Sequence, residues 1–311
     1  MIYTITFNPS IDYVVKVPNI SYKDVNRVTE EYFFTGGKGL NVSCVLKNLG
    51  IDSIALGFTA GFTGHQITLM VKEMGLHTDF IHIDNGMSRI NVKIKSQQNN
   101  IPTESEINGM GPHIDASDLK ALYSKLDIVT EDDYVVLAGS VQAGISPDIY
   151  KDLTILIQKK GAKCIVDASG ALLANSLCAR PFLIKPNKIE MEHILNRQLI
   201  TQADIIHGAK ELRNMGARNI LVSLAEQGAI LITEDNHIYY SNAPKGDVLN
   251  SVGAGDSMVA GFLAEYLNSG SFSNALKLGI CAGSASAFSN GLATKEFILT
   301  LTDSVCIKEL N

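Results

Sequence analysis

The residues around Asp256 are of the types that phosphoryl transfer to an alcohol requires. Residues 250–262 read Asn-Ser-Val-Gly-Ala-Gly-Asp-Ser-Met-Val-Ala-Gly-Phe, so small residues lead into one carboxylate and then into an apolar helical pattern. Backbone N–H groups of Gly253, Ala254 and Gly255 at a helix N-terminus would stabilise an anion. Asp256 stands where it could take a proton from a hydroxyl group. An ordinary helix N-cap is the alternative, because Asp, Ser and Gly are common there.

A second glycine-rich turn lies at residues 35–43, which read Thr-Gly-Gly-Lys-Gly-Leu-Asn-Val-Ser. It follows a strand-like segment and opens a helical pattern. Glycines such as Gly37 permit a ligand to approach the backbone closely. Lys38 and Asn41 would supply a cation and an amide for phosphate or hydroxyl groups. The turn is not a Walker loop, because Gly-Lys is not followed by Ser or Thr. A glycine-rich turn with an exposed lysine is the alternative.

Together, these two segments resemble the two signatures of the PfkB, or ribokinase-like, family of carbohydrate kinases. The resemblance covers essentially the whole chain, with each signature near its expected end. It implies a sugar as acceptor, ATP as phosphoryl donor and Mg²⁺ as the accompanying ion. Asp256 would then be the catalytic base, and Gly253, Ala254 and Gly255 would stabilise charge on the transferring group.

Further segments resemble binding elements of the same family. Residues 6–12 resemble its first strand and sugar-contacting aspartate, residues 185–190 its phosphate and magnesium element, and residues 223–228 its nucleotide turn. Asn187 and Glu190 also form an ordinary capping pair, and they would hold Mg²⁺ mostly through water. The resemblance assigns sugar binding to Asp12, Gly37, Asn41 and Ser140, and nucleotide binding to Lys185, Asn187, Glu190, Ser223, Gly228, Gly253 and Gly255.

Extra cations near the predicted sugar site favour a substrate that already carries a phosphate. Strand alternation over residues 89–93 places Arg89, Asn91 and Lys93 on one face. Arg89 could hold a phosphate in two hydrogen bonds, which a lysine cannot reproduce. Arg27 and Lys38 are candidate helpers. A solvated surface charge is the alternative for each of them.

Residues 89–93 and 104–112 resemble the fructose 1-phosphate kinases of the family. This resemblance implies transfer of the ATP γ-phosphoryl group to the 6-hydroxyl of fructose 1-phosphate, giving fructose 1,6-bisphosphate and ADP. Ser88 departs from the threonine common in that subgroup, and Gln142 from the proline common in the family. A tagatose 6-phosphate kinase is the nearest alternative.

The residues argue against two other classes of protein. A non-catalytic sugar-phosphate sensor would have lost the base or the anion-binding loop, and both stand in this chain. A dinucleotide-dependent oxidoreductase needs a G-x-G-x-x-G turn, which residues 35–43 do not supply.

Hydrophobic periodicity predicts the elements that must position these residues. From about residue 116, strands alternate with helices, which predicts a mostly parallel sheet covered on both faces. Ligands of such sheets bind beyond the carboxyl ends of the strands. Two half-exposed strands at residues 12–17 and 89–95 do not fit the alternation and could pair into a small accessory sheet. Residues 99–112 are polar and turn-rich.

The expected architecture is a ribokinase-like three-layer α/β/α fold with a small β-sheet lid. We predict a single domain over residues 1–311, with the lid formed by insertions at about 11–34 and 87–112. The lid would close over the site and exclude water. Because lids of this type form the dimer contact in the family, the resemblance also implies a homodimer.

Composition argues against several other functions. The chain has 311 residues, of which 46% are hydrophobic and 19% charged, as is ordinary for a globular enzyme. A net charge of −6 without a Lys/Arg run argues against nucleic-acid binding. No apolar run is long enough to span a membrane. Five cysteines without a C-x-x-C pair indicate a reduced cytoplasmic protein.

Overall fold

Short, buried, mostly apolar segments form the strands of a large sheet in the computed structural model, which describes residues 1–21, 23–98 and 101–310. In chain order the strands are β1 (Ile2–Thr6), β2 (Ser10–Lys16), β3 (Glu30–Gly36), β4 (Ser53–Ala60), β5 (His77–Thr78), β6 (Ile81–Ile83), β7 (Arg89–Gln98), β8 (Ile101–Asn108), β9 (Tyr134–Ala138), β10 (Lys163–Asp167), β11 (Leu183–Ile184), β12 (Asn219–Ser223), β13 (Ala229–Ile232), β14 (Ile238–Ser241) and β15 (Lys308–Leu310).

Ten α-helices accompany these strands in the described residues. They are α1 (Lys38–Asn48), α2 (Gly61–Glu73), α3 (Ala116–Lys125), α4 (Ile149–Lys159), α5 (Gly170–Ser176), α6 (Lys188–Leu195), α7 (Gln202–Asn214), α8 (Ala254–Ser269), α9 (Phe272–Ala287) and α10 (Lys295–Thr300).

The large sheet is parallel through its centre and antiparallel at one edge. Its strand order is β15-β14-β13-β12-β11-β10-β9-β1-β4-β5, and β6 pairs with the end of β4. Neighbouring strands are parallel along the stretch β12-β11-β10-β9-β1-β4. By contrast, each of β13, β14 and β15 is antiparallel to the strand before it. Because β1 lies between β4 and β9, chain connections diverge there, and a crevice opens at the carboxyl ends of the strands.

Successive side chains of the central strands point to opposite faces of the sheet and pack into two separate hydrophobic cores. In β9, Val135 and Leu137 pack with α3, α4, α5 and α7 on one face, whereas Val136 packs with α1, α8 and α9 on the other. Strands buried on both faces need continuous apolar runs, as the sequence shows. The predicted three-layer α/β/α fold is therefore confirmed.

The smaller sheet has the order β3-β2-β7-β8 and stands apart from the large one. Its two central strands are the half-exposed segments of the sequence, and they pair in parallel, with Asp12 opposite Asn91. The predicted pairing is confirmed. Most of β3 is exposed. That this sheet acts as a lid remains a prediction.

The prediction for residues 99–112 was wrong over most of its length. Residues 99 and 100 lie outside the described residues, but residues 101–108 form strand β8, which pairs with β7 along its whole length. Glu104, Glu106 and Asn108 alternate with less polar residues, but the segment lacks the apolar face of an ordinary strand. Pairing with β7, rather than burial, makes it a strand.

The structure also bears on the compositional expectations. All five cysteines are free thiols. In the described part of the chain, no helix has both the length and the hydropathy to cross a membrane. The same residues contain no group of three or more His, Cys, Asp or Glu arranged to hold a metal ion.

Candidate active site

A cleft of about 490 Å³ lies between the two sheets, at the carboxyl ends of β1, β9, β10, β11 and β12. It brings together most of the residues predicted from the sequence. The predicted residues that line it are Asp12, Gly37, Lys38, Asn41, Arg89, Ser140, Lys185, Asn187, Ser223, Gly253, Gly255 and Asp256. Four predicted residues do not line it, namely Arg27, Glu190, Gly228 and Ala254.

Asp256 lies in the first turn of α8 and is buried. Gly253 is the N-cap of this helix and has a φ of 81°, in the left-handed region that favours glycine. The Asn41 side chain donates a hydrogen bond from Nδ2 to Asp256 Oδ2 at 2.8 Å. This contact joins the two glycine-rich segments, which lie 215 residues apart in the chain, and it fixes the orientation of the carboxylate.

The surroundings of Asp256 make it a better base than an ordinary aspartate. Burial, together with repulsion from the Asp167 carboxylate, raises its pKa to about 6. The positive charges of Lys38 and Lys185 and the hydrogen bond from Asn41 oppose this rise. A pKa close to the pH of the reaction suits a residue that must take up a proton during catalysis.

Asp167 pairs with two lysines that line the cleft, and it was not predicted from the sequence. It ends strand β10 and is fully buried. Lys38 Nζ lies 3.0 Å and Lys185 Nζ 3.4 Å from its Oδ1 atom. Its Oδ2 atom is buried without a hydrogen-bond partner among the described residues. A carboxylate at the carboxyl end of a predicted buried strand was the signal that could have revealed it.

The Asp167 carboxylate keeps Lys38 charged and pairs with both lysines at the edge of the cleft. Although burial disfavours the charged form of Lys38, the carboxylates of Asp167 and Asp256 raise its pKa above the usual value. Burial likewise opposes the charge of Asp167, but Lys185 and Lys38 hold its pKa below the usual value. The cleft therefore holds two fixed cations beside the N-terminus of α8, where a phosphate chain would be stabilised.

The predicted anion-binding turn has fewer free donors than the sequence implied. The Ala254 N–H donates to the Ser251 carbonyl at 3.3 Å. Gly255 lies against Lys185, and a methyl group at Gly255 would lie only 3.0 Å from Lys185 Nζ. The backbone of Gly253 and Gly255 borders the cleft. A phosphate bound there would therefore meet these two residues and the Lys185 ammonium group.

The Asp12 carboxylate, on the small sheet, is held by three side chains. Oδ1 accepts hydrogen bonds from Ser10 Oγ at 2.7 Å and Asn91 Nδ2 at 2.9 Å. Lys93 Nζ lies 3.0 Å from Oδ2, and 3.7 Å from Glu106 Oε1. The Lys93 charge is thus balanced by two carboxylates. An oriented acceptor with remaining lone pairs on Oδ2 is suited to bind a sugar hydroxyl.

Arg89 presents a cation to the same part of the cleft. Its Nε donates to the Asn8 carbonyl at 3.0 Å, and within the described chain its terminal nitrogens make no hydrogen bond. Burial lowers the pKa of Arg89, and the charge of Asp12 partly offsets this effect. A half-buried guanidinium with free donors is suited to a phosphate. Arg27, by contrast, is exposed in the β2–β3 connection, away from the cleft.

Glu190 and Gly228, predicted at the nucleotide side, have structural partners. Asn187 and Glu190 form a complete capping box at the start of α6, with N–H to oxygen distances of 2.9 and 2.8 Å. Gly228 has a φ of 83°, and a methyl group there would lie 2.0 Å from the Ser241 carbonyl oxygen. Close packing against β14 therefore requires the glycine. Asn187 and Ser223 reach the cleft.

The two departures from the family pattern also have structural explanations. Ser88 Oγ accepts a hydrogen bond from Ala60 N at 3.0 Å, so it ties β7 to the end of β4 instead of facing the cleft. Gln142 Nε2 donates to the Phe7 carbonyl at 2.8 Å. Both side chains hold cleft-forming loops in place.

Comparison with known proteins agrees with this geometry. A model described as pfkB family carbohydrate kinase matches residues 5–297. The chain is 40% identical over 310 residues to the 1-phosphofructokinase of Bacillus subtilis, with 100% of each chain covered. It is 35% identical over 293 residues to the D-tagatose-1-phosphate kinase of Bacillus licheniformis, with 94% of each covered.

Solved structures of a related protein have the same fold. Phosphofructokinase-2 from Escherichia coli in complex with substrates and products superposes with a TM-score of 0.90 at 26% identity, covering 97% of this chain and 98% of that one. The tetrameric inhibited form of the same E. coli protein gives a TM-score of 0.87 with the same identity and coverage.

Proposed function

The chain belongs to the pfkB family of carbohydrate kinases, and from that premise we propose that it phosphorylates fructose 1-phosphate at the 6-hydroxyl, using ATP. The products are fructose 1,6-bisphosphate and ADP. The single observation that carries the chemistry is the Asn41–Asp256 contact at 2.8 Å, which directs a buried carboxylate into a cleft lined by cations. The 40% identity to a 1-phosphofructokinase over the whole chain supports the choice of sugar.

In the proposed reaction, Asp256 accepts the proton of the 6-hydroxyl as its oxygen attacks the γ-phosphorus. The bond between the γ-phosphorus and the bridging oxygen breaks, and ADP leaves with the electron pair. The N-terminus of α8 at Gly253 and Gly255, together with Lys185, stabilises charge on the transferring group. Lys38, which is paired with Asp167, lies on the same side of the cleft as Lys185.

The sugar lies between Asp256 and the small sheet in this proposal. Asp12 accepts hydrogen bonds from hydroxyl groups, and Gly37 and Asn41 orient the sugar from α1. Ser140 borders the same region. Arg89 binds the phosphate at the end of the sugar opposite the reacting hydroxyl. Arg27 is exposed and outside the cleft, so it would reach the phosphate only after its connection moved or from a second copy.

Magnesium would be held at the nucleotide side of the cleft, near Asn187, which lines the cleft, and its capping partner Glu190, which does not. Asn187 and Glu190 offer amide and carboxylate oxygens, the type of ligand that Mg²⁺ prefers. Each already uses one oxygen in the capping box, so contact through water suits the site better than a complete protein cage. Bound there with ATP, Mg²⁺ would neutralise phosphate charge.

The small sheet acts as a lid in this proposal and excludes water, which would otherwise compete as the nucleophile. A second copy of the chain covers the exposed side of the lid. Tyr32 and Phe34, which share one face of β3, are 44% and 42% exposed, and exposed aromatics on an edge strand are unusual for a free surface. We therefore propose a homodimer. The free thiols suit a reducing compartment, and the cytoplasm is the proposed location.

An ADP-release assay over a panel of sugars tests the proposed function. The panel contains fructose 1-phosphate, fructose 6-phosphate, tagatose 1-phosphate, tagatose 6-phosphate and unphosphorylated fructose. We expect the highest kcat/KM for fructose 1-phosphate and no more than slow ADP release without sugar. A higher kcat/KM for any other sugar would contradict the assignment, and ADP release that ignores sugar would contradict a kinase.

A tagatose phosphate kinase is the second candidate. The 35% identity to a D-tagatose-1-phosphate kinase favours it, and that relative is named for the 1-phosphate rather than the 6-phosphate expected from the sequence. The two sugars differ in configuration at one carbon, so the same cleft would bind both. The ratio of their kcat/KM values in the panel separates the two functions.

A further inference from the structure

Resting on the proposed function, we infer that Asn8 is a positioning residue, which fastens the small sheet to the large one and thereby holds Arg89 for the substrate phosphate. Asn8 follows β1 and precedes β2, so it stands where the chain leaves the large sheet for the small one. It is buried, with 4% of its surface exposed. The proposed reaction gives it no chemical part.

Both halves of Asn8 hold the small sheet. Its backbone carbonyl accepts the hydrogen bond from Arg89 Nε at 3.0 Å, at the first residue of β7. Its side chain donates from Nδ2 to the Met110 carbonyl at 2.9 Å, just after β8. The starts of β2 and β7 and the end of β8 thus meet at a single residue.

The Asn8 side chain is tightly packed where it contacts the segment after β8. Gly111 has a φ of 83°, and a methyl group there would lie 2.2 Å from Asn8 Oδ1. The same Oδ1 atom is buried without a hydrogen-bond partner among the described residues. A buried, unpaired amide oxygen costs stability. We therefore explain the amide by what its nitrogen holds, since an apolar side chain could fill the same volume without that cost.

Gln142 secures the same turn from the opposite side. Its Nε2 donates to the carbonyl of Phe7, the residue before Asn8, at 2.8 Å, and its side chain is buried. The turn between β1 and β2 is thus tied to the loop after β9 and to the small sheet at once. Arg89 uses its Nε on this turn, which leaves its terminal nitrogens for the phosphate.

The consequence is a defined place for the guanidinium. An arginine that is held through Nε loses little further side-chain freedom when it binds a phosphate, so preorganisation strengthens binding. If the turn loosens, Arg89 keeps its charge, but its guanidinium group occupies a wider range of positions. Recognition of the substrate phosphate would weaken, whereas binding of ATP on the other side of the cleft would not.

A double-mutant cycle between Asn8→Ala and Arg89→Ala tests the inference, with kcat/KM for fructose 1-phosphate as the readout. We expect Asn8→Ala alone to raise KM for fructose 1-phosphate by about five- to tenfold, the worth of one hydrogen bond, with kcat and KM for ATP within about twofold. In the Arg89→Ala background, Asn8→Ala should have less than about a twofold further effect, because its influence acts through Arg89.

Two further variants keep the test decisive. Asn219→Ala removes a buried amide-to-carbonyl hydrogen bond of the same kind, from Nδ2 to Phe182 O at 2.7 Å, together with the one that Oδ1 accepts from Glu234 N at 3.0 Å. Asn219 begins β12, at the end of the strand away from the cleft, so this variant should leave KM for the sugar phosphate unchanged. Gln142→Leu loosens the same turn without touching Asn8 and should raise that KM as Asn8→Ala does. It gives the answer if Asn8→Ala does not fold.

The outcomes separate this inference from the proposed function. Additive effects in the cycle, or equal rises of KM for ATP and the sugar phosphate, would overturn the positioning role of Asn8. An unchanged KM in both Asn8→Ala and Gln142→Leu would do the same. Failure of the wild-type chain to phosphorylate any sugar phosphate would instead count against the proposed function itself.

Discussion

At the scale of single residues, the Asp256 carboxylate is both oriented, by Asn41, and shifted in pKa, by its surroundings. The amide fixes which oxygen of the carboxylate faces the cleft, and burial near Asp167 raises the pKa to about 6. An ordinary solvated aspartate would be a much weaker base, because it releases its proton near pH 4. Asn41 therefore supplies the geometry, and burial beside Asp167 supplies the basicity, which the hydrogen bond from Asn41 partly reduces.

Replacing Asp256 with alanine should remove most turnover while sparing sugar binding. Loss of a positioned general base lowers kcat by about 10²- to 10⁴-fold, and Asp12 and Arg89, in their proposed roles, would still hold the substrate. The measurements are kcat and KM for fructose 1-phosphate with the Asp256→Ala variant. A kcat near that of the wild type would show that Asp256 is not the base.

The acidic limb of the pH–rate profile should lie near pH 6. Asp256 must be unprotonated to act, and its pKa is raised to about 6, so kcat/KM should fall about tenfold per pH unit below that value and be constant above it. The substrate phosphate also titrates near pH 6, so the wild-type profile alone does not identify the group.

The Asp167→Asn variant separates these two sources of the acidic limb. Repulsion from the Asp167 carboxylate is part of what raises the pKa of Asp256, so removing that charge should move the limb of kcat/KM to lower pH. The substrate phosphate titrates as before in this variant. A limb that does not move would assign the pH dependence to the substrate instead of Asp256.

At the scale of elements, Gly36 lets strand β3 pass close to the Asp12 carboxylate. A methyl group there would lie 2.2 Å from Ser10 Oγ and 2.3 Å from Asp12 Oδ1. Gly36→Ala should displace Asp12 and raise KM for the sugar by at least about tenfold, with a stability loss of about 1–3 kcal/mol from overpacking. KM values and denaturant unfolding measure the two effects.

Gly50→Ala is the matched control for Gly36. Gly50, just after α1, has a φ of 88°, and nothing lies within 4 Å of the place that a methyl group there would take. Alanine there should reduce stability through backbone strain and leave KM for the sugar unchanged. If both variants raise KM equally, the Gly36 effect is a general loss of stability and not a displacement of Asp12.

Sequence patterns predicted elements well wherever burial makes the pattern. The core strands and α4, α7 and α9 follow apolar periodicity, because the sheet is covered on both faces. Strand β8 escaped prediction because the small sheet buries little of it, so its residues carry no apolar alternation. Its partner β7 defines it, and pairing between strands is not visible in a local pattern.

At the scale of the whole molecule, the cleft depends on contacts between distant parts of the chain. Lys38 and Asp167 are 129 residues apart, and Asn41 and Asp256 are 215 apart. The sequence indicated half of the residues that line the cleft, by their types and by family resemblance. The pairing of Asp167 with two lysines and the hydrogen bond between Asn8 and Arg89 could not be predicted. These contacts form only after the strands have assembled.

The last prediction concerns association through the small sheet. Tyr32 and Phe34 share the face of Asp12 by strand alternation, and they border a groove whose apolar lining includes Val14, Met74 and Leu292. A second copy of the chain would bury this face. We expect the wild-type chain to sediment as a dimer and Tyr32→Asp to sediment as a monomer, because a charge would be desolvated in the contact.

Phe33→Asp is the control for this prediction, because Phe33 lies on the opposite face and stacks on Tyr13 with ring centroids 4.6 Å apart. It should remain dimeric, although the stacking contact is lost. Sedimentation over a range of protein concentrations measures both variants. A monomeric wild type would remove the proposed dimer, and dissociation by Phe33→Asp alone would place the contact on the outer face. A dimeric Tyr32→Asp with unchanged affinity would show that the groove is not the contact surface, and the lid would then close over each site without help from a second copy.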